Sequence, residues 1–495
     1  MVTEIWRHSH WWNAFTLPRL EDSYSNKSLL PKSIILPLLK ERYMQKNNIK
    51  LKKTIQAAHL KKMNLMAAGI DVGSRSHYVA IPEGLDEVTV REFATFTGDL
   101  NALADWLQQC GITTVAMEST GVYWIPLYEI LESRGFEVKL VDARHVKNVS
   151  GRKTDVLDCQ WIQQLHTYGL LQGAFRPNET ILELRGYLRQ RHQLIQQSAR
   201  HIQHMQKALT QMNLLLHNVL SDITGDTGMK IIRAIVRGIR DPKVLAHYRN
   251  GRCKNSEETI EKSLQGNYRP EHLFLLTQSL ELYDVYQEKI QHCDEQIERC
   301  LSLMESKKEI TLPLPKKQRS KKHKYDPNAQ IKSQLHQITG VDLTQIPGIE
   351  TNTALKLIAE IGVDLSRWKT AKQFASWLGV CPGTKVSGGK RLSSKTKRTS
   401  NYAASALRMA ASSLHGSKTA LGAFFRRLKG RIGAPKATTA AAHKLATIIF
   451  NMLVKGQEYV ERGQAYYEQQ YKERVIRNLT QRASDLGLEL VPKMV

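Results

Sequence analysis

The stretch Gly69-Ile70-Asp71-Val72-Gly73, followed by His77-Tyr78-Val79-Ala80-Ile81, constrains this chain most. Two apolar runs separated by a glycine break read as antiparallel strands, with the carboxylate of Asp71 in the middle of the first. Three more acids follow at telling places. Thr113-Thr114-Val115-Ala116-Met117-Glu118 is a β-branched, apolar run that ends on Glu118 just before Ser119-Thr120-Gly121, where a strand hands over to a helix. Asp155 and Asp158, in Lys153-Thr154-Asp155-Val156-Leu157-Asp158, stand at i and i+3 and share one helix face. A strand, a strand end and a helix face can bring such groups to one point. All-oxygen ligands suit Mg²⁺ or Mn²⁺, and two such ions about 3.5–4 Å apart clamp a phosphate for in-line displacement. Each acid taken alone reads as a helix cap or a solvated charge; the ordered set carries the metal reading.

From Ala67 onward the pattern alternates as an α/β domain does, over residues 66–176. Strands are expected over 68–73, 77–82, 90–96, 113–118 and 137–142, helices over 99–109 and 122–134, and a last helix from near Asp155. The segments Gly69-Ile70-Asp71-Val72-Gly73, Met117-Glu118-Ser119-Thr120-Gly121 and Lys153-Thr154-Asp155-Val156-Leu157-Asp158 resemble, in order and spacing, the motifs of DEDD-type insertion-sequence transposases. These are the insertion-sequence-110 family, recombinases guided by a bridge RNA. The resemblance implies a RuvC-like domain of RNase H fold, with Asp71, Glu118, Asp155 and Asp158 as its metal carboxylates.

Charge gives an independent indication of the partner. A net charge of +26 over 495 residues favours a polyanion, nucleic acid before membrane. Its distribution is uneven: Leu365 to Gln457 holds 18 Lys and Arg and no Asp or Glu, whereas Met66 to Arg176 holds 14 acids against 9 bases. The carboxyl-terminal part is therefore the phosphate binder, and the carboxylate domain keeps the negative potential that metals need. The 6 cysteines include no C-x-x-C pair, which indicates neither a zinc site nor a disulfide framework and fits a reduced, cytoplasmic protein. The early apolar run Ser33-Ile34-Ile35-Leu36-Pro37-Leu38-Leu39 is too short to span a membrane.

Residues 1–65 read as an extension to which the sequence assigns no function. Over 177–304 the period becomes heptad-like. One seam runs Leu184, Leu188, Ile195, Ile202, Met205, Leu209, Met212, Leu216 and Val219, with Arg191 and Ser198 in its gaps. Another runs Leu276, Leu280, Tyr283, Ile290, Ile297, Leu301 and Met304, with Gln287 and Asp294 at its polar positions. Long paired helices follow, either a hairpin within one chain or a coiled coil between two. Residues 305–335 read as a linker whose basic run, Lys316 to Lys324, binds nucleic acid without reading sequence or is merely solvated. A mostly α domain is expected over 336–457 and a helical tail over 458–495. Near its start, Ile346-Pro347-Gly348-Ile349 before the helical Thr353-Ala354-Leu355 looks like a helix-hairpin-helix, with N–H groups around Gly348 offered to phosphate; a plain helix turn is the alternative.

Within the acid-free region, Gly383-Thr384-Lys385-Val386-Ser387-Gly388-Gly389-Lys390-Arg391 sets a serine between glycines and cations. Close phosphate approach is possible there, and Lys385, Lys390, Arg391, Lys395, Lys397 and Arg398 are placed to hold its charge. Pro382 to Arg408 resembles the carboxyl-terminal domain of the same transposases. That resemblance implies Ser387 as the nucleophile that takes DNA as a phosphoserine, a composite centre with the metal carboxylates, an element-encoded guide RNA, and a homodimer or homotetramer acting in the cytoplasm. Ser393, Ser394, Ser400 and Tyr402 are neighbouring hydroxyls. Two other readings stay open: a RuvC-type junction nuclease in which metal-activated water attacks, and a basic nucleic-acid scaffold without catalysis.

Overall fold

The computed structural model describes residues 61–142, 155–307, 325–327, 329–397, 399 and 401–491. Residues 1–60 of the amino-terminal extension, Lys153, Thr154, the basic run Lys316 to Lys324, Arg398 and Ser400 lie outside the described residues. Contacts divide the chain into two units, Met1–Phe175 and Arg176–Val495.

In the first unit the chain forms β1 (Ala67–Val72), β2 (Ser76–Ala80), β3 (Val90–Ala94), α1 (Thr97–Gln109), β4 (Thr114–Glu118), α2 (Trp124–Ser133), β5 (Glu137–Val141) and α3 (Asp155–Thr167). The sheet order is β3-β2-β1-β4-β5. β1, β2 and β3 form an antiparallel meander, while β4 and β5 run parallel to β1. Because strand side chains alternate between faces, Ala68, Ile70, Val72, Val115 and Met117 share one side, packed with Leu103 and Leu107 of α1 and Leu127 and Leu131 of α2. Ala116 and Val141 point the other way, onto Ile162 of α3. This mixed, doubly covered sheet is consistent with an RNase H-like domain.

His166, fully buried near the end of α3, fastens that helix to the sheet. The Thr114 hydroxyl spends its proton on Glu137 O at 3.0 Å, so His166 donates from Nε2 across the 2.9 Å to Thr114 Oγ1. Burial, with the nearby Lys139 ammonium, lowers its pKa from 6.5 to about 4. The unfolded chain therefore binds a proton that the native fold refuses between those values, and stability falls as pH drops from 6.5 towards 4. A loss of about 3 kcal/mol is expected over that window. Urea midpoints measured from pH 7 to 4 should fall, and His166→Gln should flatten that part of the dependence.

The second unit opens with a long helical hairpin. α4 (Glu179–Gln211) starts on Asn178, whose side chain accepts from Ile181 N. Four short helices follow, α5 (Leu216–Val219), α6 (Asp226–Val236), α7 (Pro242–Ala246) and α8 (Glu257–Ser263), before α9 (Pro270–Ser302) returns along α4. The pairing is antiparallel and lies within one chain: Arg191 grips Asp294, Gln287 Nε2 donates to Ser198 Oγ at 2.8 Å, and Cys300 lies beside Thr180. The polar residues that interrupt the two apolar seams thus meet one another. A one-turn slip would bury them unpaired, so they set the register. The short helices pack a real core of Ile231, Ile232, Ile235, Leu245, Ile260 and Leu264.

The remainder is helical: α10 (Ala329–Thr339), a 3-10 turn (Leu343–Gln345), α11 (Thr351–Ile361) and α12 (Ala371–Trp377), then strands β6 (Lys385–Ser387) and β7 (Lys390–Ser393), then α13 (Tyr402–Ser413), α14 (Ala420–Ile432), α15 (Ala434–Lys455) and α16 (Gly463–Asp485). α10 begins inside the stretch expected to be linker. Its Ile331, Leu335 and Ile338 are buried at helical spacing, a short stripe that the basic run before it obscured. α15 has the length and apolarity of a membrane span, yet Ala437, Ala441, Leu445, Ile449 and Phe450 are buried in this helical core. Arg185 donates to the last carbonyls of α11, Ala359 O and Glu360 O, while Arg189 Nη2 holds both Glu360 carboxylate oxygens at 2.9 and 3.0 Å, tying α4 to the domain that follows.

Candidate active site

Two acids are brought together by strand register. β1 and β4 run parallel with Ile70 opposite Met117, so the next position on each strand sets Asp71 beside Glu118. Both lie on the face that α3 covers, opposite to Ile70 and Met117. Glu118 is buried, and the one hydrogen bond to its carboxylate among the described residues comes from Thr120 Oγ1 at 3.0 Å. A buried carboxylate with a single hydroxyl donor is poorly compensated by protein alone, and its chemistry fits a hard divalent cation.

The helical acids reach the same face because α3 lies directly on β1. Gly69 permits this approach: a methyl group there would lie 2.5 Å from Cys159 O and 2.6 Å from Gln163 Cα. Asp158 and Asp155 sit in the first turn of α3, ahead of that crossing. Asp158 and Asp71 both act electrostatically on Cys159, and Asp155 acts on Tyr78, which pairs with Asp71 across β1 and β2. Cys159 itself is fully buried, and desolvation, with those two carboxylates, pushes its thiol up to about 12. It is a neutral filler between helix and sheet. Among the described residues no three His, Cys, Asp or Glu side chains close into a cluster able to hold one ion. The backbone therefore supplies a common acidic face, with Asp71 and Glu118 as its register-fixed pair. Gly69→Ala should drive α3 off β1, costing about 2 kcal/mol; a lowered denaturation midpoint together with lost strand transfer would show it.

Ser387 stands on a different kind of element. β6 and β7 pair with Ser387 opposite Lys390, and the two residues between them, Gly388 and Gly389, have φ of 53° and 74°. Two successive positive φ values are what a type I′ hairpin turn demands, and glycine supplies them without strain. The base of the hairpin is anchored by Gly383 N donating to Lys395 O at 3.0 Å and by the Pro382–Thr396 bridge. Lys385, Ser387, Lys390 and Arg391 on the hairpin, and Lys395 and Lys397 at its foot, are all exposed. Gly348 is differently placed. A methyl group on it would lie 2.7 Å from Ala410 O, and Ile346 and Ile349 beside it are buried, so this turn packs against α13.

Sequence reasoning missed Thr120, which orients Glu118, and Gly69, which admits α3. The first had a signal in its place two residues past a strand-end acid; the second had none, since close approach is a tertiary fact.

Two family profiles match the chain. Residues 68–214 match the DEDD type of the IS110 group, described as a transposase. Residues 340–425 match the family described as Transposase IS116/IS110/IS902. The first match spans the acidic face and the second spans the serine hairpin, in that order along one chain. The chain carries the two domains of an IS110-family transposase. No curated protein matches it. As a transposase it is an enzyme that acts on DNA, and DEDD-type domains generally use divalent metal ions.

Proposed function

We propose that this transposase breaks and rejoins DNA for its own mobile element through a covalent bond between Ser387 and a DNA phosphate. The observation that carries the reading is the placement of Ser387 at the tip of an exposed hairpin, beside two glycines, in a region with 18 bases and no acids. Ser387 Oγ attacks the phosphorus, losing its proton; the phosphorus–oxygen bond to one deoxyribose breaks, and that oxygen leaves as a hydroxyl. Attack by a hydroxyl of another strand on the phosphoserine reverses the step, restores Ser387 and conserves the number of phosphodiester bonds.

Lys385, Lys390 and Arg391 stand nearest to Ser387 along the hairpin and balance the charge that builds on the phosphoryl oxygens. They cannot take the serine proton while themselves protonated. A serine hydroxyl needs a base or a metal to become a nucleophile, and the acid-free region has no carboxylate to offer. We assign that help to Asp71, Glu118, Asp155 and Asp158, from the same chain or from another copy. Mg²⁺ or Mn²⁺ held by these carboxylates would supply Lewis-acid stabilisation of the phosphoryl group. A guide RNA from the element and a homodimer or homotetramer complete the proposal, on the strength of family membership.

The test is chemical. Incubated with DNA containing the element ends and Mg²⁺, the wild type should yield a protein–DNA adduct that survives denaturant and whose modified peptide contains Ser387. An adduct on another hydroxyl moves the assignment, and strand cleavage without any adduct turns it to a water-attack nuclease.

A further inference from the structure

The hairpin that bears Ser387 also bears two large apolar side chains held out in solvent. Val386 is 61% exposed and Leu392 is 68% exposed. Every charged side chain around them on β6 and β7 is a cation. Leu392 is moreover the residue that the strand register skips: Lys385 pairs with Ser393 and Val386 with Arg391, leaving Leu392 over. Such a bulge re-aims the extra side chain, and bulges gather next to active sites.

Apolar side chains set among exposed cations match nucleic acid, which offers phosphates outside and stacked apolar bases within. A two-stranded β-ribbon fits the major groove, and apolar wedges between base steps are a recurrent way for proteins to unstack a duplex. Val386 precedes Ser387, and Leu392 lies two residues beyond its partner Lys390, about 7 Å along the strand. We propose that Val386 and Leu392 insert between bases beside the phosphate that Ser387 attacks, unstacking the duplex there while Lys385, Lys390 and Arg391 hold the flanking phosphates. Unstacking frees the cut strand to move to its new partner. This inference rests on the reading of the Ser387 hairpin as the element that meets DNA.

Permanganate oxidises thymines that have lost their stacking, whatever the sequence around them. The full chain, bound to a mixed-sequence DNA duplex, should create hyperreactive thymines. In the double variant Val386→Ala, Leu392→Ala that reactivity should fall about tenfold at equal occupancy, whereas binding changes by less than about threefold. Both side chains are exposed, so the melting temperature should hold. Val386→Ile with Leu392→Met, which keep apolar bulk, should restore the signal. Ser387→Ala should keep the unstacking and lose the adduct, which separates failure of the wedge from failure of the nucleophile. Unchanged reactivity in the double alanine variant, or no hyperreactive thymine on DNA bound by the wild type, would overturn the proposal.

Discussion

Ser387→Ala is expected to form no denaturant-resistant DNA adduct and to lose strand transfer by about 10³-fold or more, because the attacking oxygen itself is gone. Folding should be untouched: Ser387 is exposed on a two-stranded hairpin whose turn is set by Gly388 and Gly389. Ser387→Cys retains a nucleophile at the same place and should leave a slow adduct on the thiol, a result that a merely structural serine would not give. The neighbouring hydroxyls are tested by the same experiment. Tyr402 opens α13 with the Arg189 guanidinium 4.6 Å over its ring, a contact that ties the phenol to α4. Ser393 Oγ already accepts from Lys395 N at 3.3 Å. Tyr402→Phe and Ser393→Ala should therefore leave the adduct in place. Continued nicking by Ser387→Ala would assign attack to water and leave the serine a bystander.

The strands of the first unit were legible because each is a short apolar run bounded by polar or glycine breaks, and the observed strands fall within a residue or two of the expected ones. All four acids were legible as positions on elements, and a common face was an expectation; the register that builds that face was not legible. That face depends on β1 and β4 running parallel with Asp71 level with Glu118, a register between segments far apart in sequence. It depends equally on Gly69, whose missing side chain is what lets α3 settle on β1. The heptad seams announced paired helices without naming the partner. Arg191 against Asp294 and Ser198 against Gln287 answer that question, and each pair was visible only as two unrelated gaps. Among the short helices after α4, α6 brings Ile231, Ile232 and Ile235 to a core, while α7 and α8 add one large apolar side chain each, Leu245 and Ile260, too few to show a period.

Asp71→Asn should be as inactive as Ser387→Ala while binding DNA with nearly wild-type affinity. The change is isosteric and replaces one anionic oxygen by an amide that donates hydrogen bonds, which weakens a site for a hard cation. The bases that contact phosphate lie elsewhere in the chain, so the loss should be confined to strand transfer, by about 10³-fold or more, and excess Mn²⁺ should recover part of it. Unimpaired strand transfer by Asp71→Asn would remove the acidic face from the reaction. Co-expressing Asp71→Asn with Ser387→Ala then asks where the two halves of the centre come from. If serine and carboxylates meet across two subunits, random mixing gives heterodimers in which one centre takes Ser387 from one chain and Asp71 from the other, both intact, and about a quarter of all centres should work. If they meet within one chain, every centre in the mixture carries one lesion and the mixture stays inactive. Because each variant alone is dead in both arrangements, only the mixture distinguishes them, and adduct yield on the Asp71→Asn chain, which alone retains Ser387, measures the outcome directly.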